Sequence, residues 1–211
     1  MNEIIQRYLT EWNTILFVIG LSSMIAVAVF IERLLFIRRS EIDTGKFLLK
    51  IRRVIEDGNI IEAVKICEET KGSISNIIRA GLLRHDRNRQ EIESGMEVTG
   101  MSEIAKLEKN AKILSMIAYL TPLIGLLGTV LGFIQAFSEM RQTGLMDIST
   151  TRVGEAMEYA LVTTAAGLVV AIPCVIAYNF LVSRVKSLTL DMQTTATEVV
   201  DLLTYRKNYE I

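Results

Sequence analysis

The stretch that decides the fold is Ile113–Phe137, ILSMIAYLTPLIGLLGTVLGFIQAF, which carries no charged residue over 25 positions. At about 1.5 Å of rise per residue, a helix of this length crosses a hydrocarbon layer of about 30 Å with some tilt. Gly125, Gly128 and Gly132 let another backbone approach closely, and Thr129 places a hydroxyl among them. Pro122 cannot donate to the carbonyl of Ala118, so a bend is expected there. A proline and three glycines in so long an apolar run mark a membrane helix rather than a soluble core helix.

Two further runs flank it. Ile15–Ile31, ILFVIGLSSMIAVAVFI, is uncharged and extends back through Asn13 and Thr14, giving a first span over 13–31. Ala160–Val182, ALVTTAAGLVVAIPCVIAYNFLV, gives a third span over 160–182, with Thr163, Thr164, Gly167 and Pro173 inside it. The second span is 113–137. Half of the 211 residues are hydrophobic and only two are Pro, which fits an all-α integral membrane protein. The triplet Ala26–Val27–Ala28 resembles a signal-peptidase site. Glu3, Arg7 and Glu11 ahead of it, and apolar residues continuing to Ile31, argue for a retained span instead.

Charge sets the expected orientation. The segment 32–112 holds 16 Lys and Arg against 14 Asp and Glu, and its basic residues near the spans are Arg33, Arg38, Arg39, Lys106, Lys109 and Lys112. By the positive-inside rule this segment is cytoplasmic, the N-terminus and the loop 138–159 face the other side of the membrane, and 183–211 is a cytoplasmic C-terminal helix. Residues 1–12 place Ile4, Ile5, Tyr8, Leu9 and Trp12 on one face, as in an interfacial amphipathic helix. Within 32–112, apolar stripes at helical spacing end at Gly58–Asn59 and at Lys71–Gly72–Ser73, so this is a helical domain.

Polar chemistry is sparse. No phosphate-binding loop, dinucleotide fingerprint, metal-spaced Cys or His set, or nucleophile paired with a base is present, so neither an enzyme nor a cofactor protein is expected. The near balance of acids and bases in 32–112 argues against nucleic acid as a partner. Thr129 lies about 12 Å from the outer end of its span and Thr164 about 6 Å from the outer end of the next, so both belong to the outer half of the bilayer. Such threonines commonly just bond their own backbone. None of the spans carries a carboxylate away from its ends; Glu32, Arg33, Glu155 and Glu158 stand at boundaries. A proton crossing here would need a titratable group supplied by a partner.

The motifs YLTPLIGLLGTVLGFIQAF and ALVTTAAGLVVAIPCVIAYN, with Glu32–Arg33 closing the first span, resemble the MotA/TolQ/ExbB proton-channel family, and the three-span layout is similar to its TolQ and ExbB branch. The resemblance implies a homo-pentameric ring in the bacterial inner membrane. Its pore would hold two copies of a single-span partner, similar to ExbD or TolR, that brings an intramembrane aspartate and works with a TonB-like or TolA-like envelope protein. The family's pore threonines match Thr129 and Thr164, and Thr163 adds a hydroxyl where other members often have Ala. Thr121 stands where the family usually has Ala. Tyr159 stands where it often has Glu, and Glu158 is one position, or about 100° of helix, away from that place. The implied function is that of a stator-like subunit driven by the proton-motive force. A passive membrane scaffold and an autonomous ion channel are the alternatives.

Overall fold

The computed structural model describes residues 13–143 and 150–209. These form seven α-helices and no strand: α1 (Asn13–Ser40), α2 (Thr44–Glu56), α3 (Ile60–Glu69), α4 (Ser73–Leu82), α5 (Arg89–Glu108), α6 (Ala111–Thr143) and α7 (Thr150–Tyr209). The all-α expectation holds, and α1, α6 and α7 each contain a segment long and apolar enough to cross a membrane. The expected interfacial helix over 1–12 lies outside the described residues.

The three long helices run well past their apolar runs. Charged residues end a membrane span but not a helix, because the backbone ladder continues wherever side chains are solvated. Much of the stretch expected as the loop 138–159 is therefore helical, with α6 reaching Thr143 and α7 starting at Thr150. The C-terminal amphipathic helix is not separate. It is the continuation of the third span within the 60-residue α7.

The chain divides into two units, one built from the chain up to Ile31 together with Asn110–Phe180, the other from Glu32–Lys109 together with the chain from Leu181 onward. In the apolar unit α1 buries Ile19 and Ala26, seven residues apart on one face. Only 11% of its most apolar window is buried, against 33% for the window that includes α6, so α1 turns most of its apolar surface outward. In water that surface would be untenable; in lipid it is the expected state.

The polar unit follows its stop signals. Gly58 takes φ 86° after α2, a left-handed conformation that glycine adopts without strain. Asn59 then caps α3, its side chain accepting from the Glu62 amide at 3.2 Å, and Asn88 caps α5 through the Glu91 amide at 2.8 Å. Ile51, Ile55, Ala63, Cys67, Ile78, Leu82, Ile92 and Met96 form the core, joined by Leu188, Met192, Val199 and Leu203 from α7. Two arginines hold this part of α7: Arg52 reaches Glu198 at 3.5 Å and Arg89 reaches Asp201 at 2.8 Å. Arg89 also bonds Glu93, and the two carboxylates raise its pKa further. At the edge of α2, the Lys46 ammonium and amide hold the Asp43 carboxyl below its usual range. Burial pushes the Cys67 thiol up to about 11.

Candidate functional site

The site is the antiparallel seam of α6 and α7. On α6 the small residues Thr121, Gly125, Gly128 and Gly132 recur at intervals of four, three and four; on α7 Ala156, Ala160, Thr163 and Gly167 repeat the same intervals. That spacing keeps each set on one helix face, and residues without bulk let two backbones meet. A Cβ built on Gly132 would stand 2.7 Å from the Ala160 Cβ and 2.9 Å from the Ala156 carbonyl oxygen. On Gly128 it would run into the Thr163 side chain. On Gly125 it would lie 2.8 Å from the Thr163 carbonyl oxygen, and on Gly167 2.6 Å from that of Thr121. The close approach leaves no room for a methyl group at any of the four glycines.

Hydroxyls lace the seam. Thr164 Oγ1 donates across it to the Gly125 carbonyl at 3.0 Å. Thr163 Oγ1 donates to Ala160 on its own helix at 2.8 Å and lies 3.4 Å from the same Gly125 oxygen. Thr163 is fully buried between the helices, whereas Thr164 is half-buried at the margin. Thr121, also fully buried, bonds the Ile117 carbonyl, beside the proline that interrupts the ladder. The helix continues through Pro122.

Of the residues expected from sequence, the structure brings together Gly125, Gly128, Gly132, Thr163, Thr164 and Gly167. It does not bring Thr129 into the seam: that half-buried residue turns its hydroxyl to the Leu126 carbonyl at 2.6 Å, one helical turn from Gly125. Pro173, Glu155 and Glu158 lie on exposed surface of α7, and Tyr159 is buried. Glu32 is exposed, but Arg33, expected as a boundary charge, is only 5% exposed. Sequence reasoning missed the structural part played by Thr121, Ala156 and Ala160, although the repeated spacing on α7 was there to be read. Among the described residues no three His, Cys, Asp or Glu side chains are grouped as a metal site would need. Chemically, the seam offers neutral hydroxyls and carbonyls, which pass and accept hydrogen bonds but hold no charge.

Fold and seam together define a class: a multi-pass helical membrane protein in which two antiparallel spans meet on ladders of small residues and hydroxyls. The model of the MotA/TolQ/ExbB proton channel family matches residues 69–194, and the chain belongs to that family. A Synechocystis biopolymer transport protein named ExbB-like 1 is 30% identical over 174 residues, covering 81% of this chain and 68% of the relative. The biopolymer transport protein ExbB of Aquifex aeolicus is 42% identical over 88 residues, 42% of this chain and 58% of its own. The Tol-Pal system protein TolQ of Haemophilus influenzae is 38% identical over 101 residues, 48% of this chain and 43% of its own. The aligned stretches thus span from under half to about two thirds of these relatives' lengths.

Proposed function

We propose that this chain is the ring-forming subunit of an ion-driven inner-membrane motor of the ExbB and TolQ kind. Five copies enclose a pore lined by α6 and α7. Two copies of a single-span partner, similar to ExbD or TolR, stand in that pore and carry the aspartate that takes up and releases the proton. The observation that carries this reading is the pairing of the family match with spans that hold hydroxyls and no carboxylate. A proton route needs a titratable group, and a neutral wall leaves that group to the partner. Thr129 and Thr164 face the route, and Thr163 backs Thr164 from inside the seam. Each proton moving through 100 mV supplies about 2.3 kcal/mol, which drives stepwise motion of the partner and work at the cell envelope through a TonB-like or TolA-like protein. The segment 32–112 and the C-terminus lie in the cytoplasm, the N-terminus in the periplasm.

A second reading, a passive scaffold, is favoured by one observation: Thr129, Thr163 and Thr164 each already bond a backbone carbonyl. Native mass spectrometry of the chain expressed with and without a single-span partner separates the two. The motor reading expects a pentamer that gains two partner chains. A complex that ignores the partner would contradict it.

A further inference from the structure

One charged residue of α1 sits where a core residue belongs. The buried positions of this helix are Ile19, Ala26, Arg33 and Ile37, and the interval of seven carries the buried face straight onto the guanidinium. Its partners explain how a cation is held there. Nη1 donates to the carbonyls of Lys109 at 2.9 Å and Lys106 at 3.3 Å, Nη2 pairs with Glu32 at 2.5 Å, and the Phe36 ring lies beneath the group with its centroid 4.9 Å away. Nε is buried with no acceptor among the described residues.

The two carbonyls are not arbitrary. Lys106 lies in the last turn of α5 and Lys109 is its C-cap, the place where carbonyls lose their helical donors and the helix dipole is negative. Directly beyond it the chain turns through Asn110 at φ 63°, a left-handed conformation that asparagine tolerates, and Ala111 opens α6. Two residues, Lys109 and Asn110, separate α5 from α6 in the chain, and the side chain of Arg33 grips the carbonyl of the first.

We infer that Arg33 is a positioning residue: it clamps the C-terminal end of α5 to the end of α1 and so holds the last turn of α5 and its cap at Lys109 in place. Lysine cannot replace it, because an ammonium lacks the planar fork that reaches two carbonyls and a carboxylate while stacking on a ring. The consequence for ion-driven work rests on the function proposed above; the clamp itself does not.

The test is amide hydrogen exchange on the full chain in lipid nanodiscs, comparing Arg33→Lys with wild type. The expected result is an exchange rate at least tenfold higher over 102–113, with residues 63–82 unchanged. Unchanged exchange over 102–113, or an equal rise through both segments, would overturn the clamp. Where Arg33→Lys fails to accumulate, Phe36→Leu removes only the ring beneath the guanidinium and should raise exchange about threefold over 102–113; no rise there overturns the clamp equally. In cells that couple the chain to its partner, Arg33→Lys should lower driven activity per assembled complex at least fivefold. Full activity with lost protection would overturn the positioning role, whereas a wild-type chain without driven activity would fail the proposed function and leave the exchange result to judge the clamp.

Discussion

Gly167→Ala is the sharpest perturbation of the seam. The added methyl would lie 2.6 Å from the Thr121 carbonyl oxygen, where ordinary contact begins near 3.4 Å. Because the obstacle is backbone, relief requires α6 and α7 to separate by about 0.8 Å at this level. Separation of that size stretches the hydrogen bond from Thr164 to Gly125 from 3.0 Å to about 3.8 Å, beyond useful length. Overpacking costs about 1–3 kcal/mol and loss of an interhelical hydrogen bond in a membrane about 0.6 kcal/mol, so the variant should lose about 2–4 kcal/mol. Reversible unfolding in mixed micelles, followed by circular dichroism, measures this directly. The control is Gly20→Ala on α1, where no atom stands within 4 Å, and its expected effect is neutral to slightly stabilising. A loss below about 0.5 kcal/mol for Gly167→Ala, or one matched by the control, would refute a backbone-to-backbone seam.

Three further outcomes follow from named contacts. Cys67 should resist alkylation at pH 8 in the folded chain, because its thiol titrates at about 11 rather than near 9.0; mass-detected labelling with iodoacetamide checks this. Since the folded value lies above the unfolded one, the stability this thiol contributes is complete below about pH 9 and is lost as pH rises toward 11, so chemical denaturation at pH 8 and 10 should show a falling midpoint. Asn88→Ala removes the side-chain cap of α5 and should cost about 1 kcal/mol in the same titration, while Asn88→Asp should cost little.

The sequence was most informative where a single physical requirement dominates. Crossing a bilayer demands a long uncharged helix, so Ile113–Phe137 and its two counterparts announce themselves, and close approach demands small residues, so the glycines of α6 do too. Helix stops at Gly58 and Gly72 were legible for a similar reason: the stop is chemistry of the residue itself. What was not legible depends on helix rotation and on distant partners. Thr163 and Thr164 are neighbours about 100° apart, and only the register against α6 decides which is enclosed and which lies at the margin. Arg33 reads as an ordinary charge at the end of a span, because the carbonyls that hold it come from residues more than 70 positions away. The turn at Asn110 was hidden by the continuous helical pattern around it, although asparagine is one of the few residues that enter the left-handed region.

The measurement that bears most directly on the central claim is proton flux into liposomes holding the purified complex, followed with an entrapped pH-sensitive dye under an imposed potential. Flux should require the partner with its aspartate intact and fall at least tenfold in Thr164→Val, a near-isosteric change that removes the hydroxyl at the seam's margin while the complex still assembles. Flux from the chain alone, or flux undiminished by Thr164→Val, would contradict the claim.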